Sequence, residues 1–158
     1  MQKVNLGFAF AAALIAGALV AGCGSSSSTE TTAALSKAEF LVEGNAVCVK
    51  GEKAQEAEVN AYVKKHGLEN KKPSTAQAAE MVETIFAPNI QGQIDGVKAL
   101  TPPSSLENQV ETAIELSEEA LEKVEADPSL IFSNQESPFA EAGKELHSLG
   151  LTKCAPSS

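Results

Sequence analysis

SSLENQVETAIELSEEALEKVEADP, residues 104–128, decides the fold. Leu106, Val110, Ala113, Ser117, Ala120, Leu121 and Val124 recur at steps of three and four, which puts them on one face of a helix. Glu107, Glu111, Glu115, Glu118, Glu119, Glu122 and Glu125 crowd the opposite side, offset by Lys123. Ser104 and Glu107 have the spacing of a capping box, and Asp127-Pro128 is a stop signal.

The same signals recur along the chain. Ser36 with Glu39 opens a helix that runs to about His66 and stops at Gly67. Its predicted inner stripe is Phe40, Gly44, Val47, Gly51, Ala54, Ala61 and Tyr62. After the turn at Lys71-Lys72-Pro73, Ser74 with Gln77 opens the next helix, which carries Val82, Ile85 and Phe86. Pro88 lacks an amide hydrogen, so a kink or break is expected there before the pattern resumes as Ile90, Ile94 and Val97 and ends at Leu100-Thr101-Pro102-Pro103. Ser137 and Pro138 start the last helix, with Phe139, Ala142, Leu146 and Leu149 facing inward, and Gly150 ends it. Leu130-Ile131-Phe132 should cover one end of the core. The expectation is an all-α, up-and-down four-helix bundle whose second helix is kinked at Pro88.

Before residue 36 the composition changes. Lys3 is followed by an apolar run, Leu6 to Val20, shorter than the ~20 residues of a membrane-spanning helix. The run ends in Val20-Ala21-Gly22-Cys23, which resembles a bacterial lipobox. The resemblance implies that residues 1–22 are a signal peptide and that Cys23 receives diacylglyceryl and palmitate-type chains, which anchor the protein on the extracytoplasmic face of the cell membrane. The competing reading is an ordinary signal peptide with a chance cysteine. Position 24 is glycine rather than aspartate, so in a host with two membranes the outer membrane is also open as a destination. Residues 23–35, rich in serine and threonine, read as a polar tether, and residues 36–158 as the folded domain.

Charge narrows the partners. All 12 basic residues are lysine, and losing Lys3 leaves 11 against 21 acidic residues, a net charge of about −10. That disfavours nucleic acid and close apposition to anionic lipid, so contact with the membrane is expected through the N-terminal lipid. With Cys23 lipidated, Cys48 and Cys154 remain as an even pair in an oxidising compartment and are expected to form one disulfide.

Three further elements carry a broader resemblance: Asn45-Ala46-Val47-Cys48 in a first helix beginning near Phe40, Leu100-Thr101-Pro102-Pro103 before an acidic helix, and Pro138-Phe139 with Leu149-Gly150-Leu151-Thr152-Lys153-Cys154. Together they look like small, uncharacterised secreted lipoproteins of actinobacterial type. The shared motifs are caps, turns and a cysteine pair, so the resemblance carries no activity with it.

The residues offer little chemistry. His66 and His147 each sit in a last helical turn, where a cation suits the macrodipole. No Glu-x-x-His accompanies them, and Met81 with His147 lacks the other marks of a haem site, so no metal or cofactor is expected. No nucleophile elbow, phosphate loop or metalloprotease motif occurs, and the chain is not read as an enzyme. The acidic helix face reads as solvated, with a cationic partner or divalent ions as its sharper alternative, although no calcium-loop spacing is present. Glu58 falls on the apolar stripe one turn before Tyr62, either at the rim or as a buried carboxylate. The expectation is a lipid-anchored envelope module that binds or scaffolds an envelope protein. The alternative is a carrier for a small ligand held between helices near Glu58 and Tyr62.

Overall fold

The computed structural model describes residues 34–133 and 136–155. The expected signal peptide, Cys23 and the expected tether as far as residue 33 lie outside the described residues. Those described form an all-helical bundle of four rods with no strand among them. The first rod is α1, Lys37–His66. The second is continuous: α2, Thr75–Met81, passes through a π segment, Val82–Phe86, into α3, Ala87–Lys98. The third and fourth are α4, Glu107–Ala126, and α5, Ala140–Leu149, joined in part by a 3₁₀ turn, Pro128–Phe132. Packing follows the chain, with α1 against α3, α3 against α4, and α4 against α5.

Local chemistry sets most of the ends. Ser36 and Ser74 form complete capping boxes with Glu39 and Gln77. The Ser36 hydroxyl donates to Glu39 Oε2 at 2.6 Å and the Ser36 amide donates at 3.0 Å. These two bonds hold the Glu39 carboxyl below its ordinary pKa. Gly67 and Gly150 close α1 and α5 at φ of 62° and 96°, where a side chain would be strained.

Two starts differ from expectation. The capping box at Ser104 does not form, and α4 begins at Glu107 with Leu106 as an uncapped N-cap. The Leu106 amide instead donates to the Pro103 carbonyl at 2.8 Å, a turn that buries Leu106 in the core. α5 begins at Ala140, because Ala140 N–H bonds to the Ser137 carbonyl in a preliminary turn over Pro138 and Phe139.

Pro88 sits inside α3 rather than ending it. The π segment precedes it, and the Ala87 amide reaches back five residues to the Val82 carbonyl. The wider turn absorbs a position where the proline supplies no donor.

The core has three parts. Phe40, Cys48, Val97, Val110, Leu149 and Leu151 belong to the first, against which Leu35 also packs. Val82, Ile94, Leu121 and Val124 belong to the second, with Ile131 against them. Tyr62, Met81 and Ile85 form the third. Phe132 meets Phe86 edge to face at 5.9 Å, so the loop cluster does cover this part of the bundle. Ala54, Glu58 and Ala61 are exposed, which corrects the predicted stripe of α1. Its inner face is turned toward Cys48, Gln55 and Val59, because α1 packs on α3 and the π segment along one side.

Candidate functional site

The chain after α5 is held to α1 by three kinds of bond. Cys48 and Cys154 form the disulfide, with Cα atoms 5.0 Å apart and 106 positions between them. Asn45 donates from Nδ2 to the Gly150 carbonyl at 3.0 Å and accepts the Lys153 amide on Oδ1 at 2.8 Å. Leu151, wholly buried, fills the space above Gly44, where an added Cβ would lie 2.6 Å from Leu151 Cδ2. Gly51 lies on the same predicted stripe of α1 as Gly44. Gly51 instead faces Gln93 of α3, at 2.5 Å from an added Cβ. Asn89 completes that contact by donating to the Gly51 carbonyl at 3.0 Å and accepting from Gln93.

α1 is therefore drawn to α3 along one side and to the tail at one end. Farther along, a groove of about 560 Å³ opens between α1 and α5. Ile90, Ile94 and Val97 of α3 and Ile114 of α4 line its base together with Gln93 and Ser117, and Phe139, just before α5, and Leu146 of α5 line it from the other side. The disulfide and Thr152 to Ala155 close one end. Glu52 and Gln55 stand on the α1 wall, His147 and Lys153 on the α5 and tail side. The volume falls within the ~300–1,000 Å³ typical of small-molecule sites, and the combination of aliphatic base and polar rim suits an amphipathic ligand.

The residues singled out near Tyr62 have a different arrangement. Glu58 is exposed. Tyr62 is buried and donates its hydroxyl to Glu80 Oε2 at 2.7 Å. Burial, aided by the Glu80 carboxylate, pushes the Tyr62 phenol up to about 12. The His66 ring stacks on Tyr62 with centroids 4.1 Å apart, and its Nε2 is buried with no hydrogen-bond partner among the described residues. Neither Glu58 nor Tyr62 lines the groove. Val59, Met81, Ile85 and Leu68 pack around the ring instead.

Other candidates disperse. His147 is exposed on the groove rim, while Met81 is buried in the Tyr62 cluster. Among the described residues no group of three or more His, Cys, Asp or Glu could hold a metal ion. On α4, Glu118 is half-buried and pairs with Lys98 of α3 at 2.7 Å, which raises the pKa of that lysine. The other six glutamates of that face are exposed. No described helix is long and apolar enough to cross a membrane.

The sequence reading missed Asn45, Asn89 and Glu80. Asn45 carried a usable signal, an amide on the inner edge of a helix one turn before a cysteine. The chain matches no protein-family model, no curated protein and no solved structure.

Proposed function

We propose that this protein is a lipid-anchored, extracytoplasmic module of the cell envelope: an up-and-down helical bundle, on a polar tether from Cys23, that acts by non-covalent binding. The groove between α1 and α5 carries the reading. Ile90, Ile114, Phe139 and Leu146 are only partly buried there, and an occupant would cover the apolar surface they leave in the groove. The Cys48–Cys154 bridge supports an oxidising compartment, and Val20-Ala21-Gly22-Cys23 supports the anchor. A small-ligand role fits this groove better than the surroundings of Glu58 and Tyr62, because Tyr62 already has Glu80 as its partner.

Two measurements on the protein from its own membrane test the reading. Cys23→Ala should leave the chain unprocessed by the lipoprotein route and free of the lipid mass; anchoring identical to wild type would overturn the anchor. Native mass spectrometry of the released protein should find a co-purifying species. Gln55→Trp, which fills the mouth of the groove, should remove it. A groove empty in both proteins would refute small-ligand binding.

A further inference from the structure

Two charged side chains face the groove from different elements. Glu52 stands on α1, and Lys153 on the tail that the disulfide holds in place. Both are exposed, and neither has an ion-pair partner among the described residues. The lining between them is mostly apolar: Ile90 and Ile114 are half-buried and Ile94 and Val97 buried, with Gln93 and Ser117 as its polar members. A ligand complementary to all of this has one hydrocarbon chain and a head group carrying both signs. A fatty acid would meet Lys153 but leave its carboxylate facing Glu52. A neutral chain would use neither charge.

We propose that the groove binds a single-chain zwitterionic phospholipid of the lysophosphatidylcholine or lysophosphatidylethanolamine type, its chain along the α3 base, its phosphate at Lys153 and its positively charged nitrogen at Glu52. This rests on the binding role proposed above and names the ligand class. The groove's volume of about 560 Å³ suits one chain. His147, also on the rim, adds a hydrogen-bond donor on the phosphate side. The tail contributes Lys153 and one end wall, so the site is complete when Cys48 and Cys154 are joined.

The test uses the full-length chain carrying Cys23→Ala, so that no attached lipid competes. It is titrated calorimetrically with palmitoyl lysophosphatidylcholine below its micelle concentration, with palmitate and monopalmitoylglycerol as comparisons. The expected result is saturable one-to-one binding of the lysophospholipid, tighter than either comparison. Lys153→Glu and Glu52→Lys should each weaken it by about tenfold or more, as loss of a charge-assisted contact predicts, and the double exchange should restore much of the loss. Both positions are exposed, so the fold is not at risk. Glu52→Lys should tighten palmitate. Reduction of the disulfide should weaken the lysophospholipid.

Equal affinity for all three ligands, or indifference to both charge reversals, overturns the assignment while leaving a binding groove. Failure of every chain ligand, with a different species still retained in native mass spectrometry, also overturns it and keeps the binding role. Failure of both removes the two together.

Discussion

Leu151 occupies the space that a β-carbon on Gly44 would need: the added atom would lie 2.6 Å from Leu151 Cδ2. Leu151 is wholly buried, so it cannot swing aside. Gly44→Ala should therefore destabilise by about 1–3 kcal/mol through overpacking, despite alanine's better helix propensity. Gly51→Ala meets Gln93, which must give up its bond to Asn89 but borders the groove and can turn toward it, so the loss should be smaller than at Gly44. Chemical denaturation of the two variants measures the difference; equal effects would contradict this account of the tail.

Removing the bridge should cost more. It closes a loop of 106 positions, and Cys154→Ser is expected to lower stability by about 2–5 kcal/mol. Asn45→Ala, which loses the bonds to Gly150 and Lys153, should cost about 1–3 kcal/mol. Both hold the same segment, so the double variant should show less than the sum, as a double-mutant cycle can establish.

Tyr62 is the chain's one tyrosine and there is no tryptophan, so ultraviolet titration reads it alone. The folded protein should form phenolate with a midpoint near 12, the denatured chain near the ordinary 10. Between those values the folded state holds a proton that the unfolded state has released. Stability from this group is thus complete below pH 10 and falls as pH rises toward 12. Glu80→Gln should bring the midpoint down part of the way, since burial remains. A folded-state midpoint near 10 would contradict the buried arrangement.

At the other extreme, Glu39 titrates below its ordinary value because Ser36 donates to it twice. The unfolded chain takes up this proton first as pH falls, so the cap's contribution is present at neutral pH and lost through the acid range below about 4.5. Glu39→Gln should remove that part of the acid dependence; an unchanged acid profile would count against the cap.

Charge reversal at Glu111, Glu115, Glu118 and Glu122 separates the acidic face into two kinds of residue. Glu118 pairs with Lys98, so its reversal should give a small loss that salt diminishes. The exposed three should change thermal stability little. A large loss from Glu111, Glu115 and Glu122 together would point to a role for that face.

What the sequence made legible was local. Ser36 with Glu39 and Ser74 with Gln77 are three residues apart, and their boxes need no distant partner. Ser104 with Glu107 has the same spacing, yet the turn on Pro103 that buries Leu106 takes precedence. The helical faces were mostly readable, and so was the pairing of Cys48 with Cys154. Gly44 and Gly51 look alike on one strip of α1, but only folding decides that one meets the tail and the other meets α3. The groove was invisible for a related reason. It depends on α1 and α5 standing apart over α3 and α4, a relation that periodicity along a single helix does not encode.

One consequence of the bridge concerns protease nicking. Lys71 and Lys72 are exposed in the connection between α1 and α2, and both lie between the two bridged cysteines. Cleavage by trypsin at that turn would leave the pieces covalently joined. A nicked molecule would migrate as one band on a non-reducing gel and separate into two after thiol treatment. The loop that the bridge closes thus keeps together a backbone that has been cut.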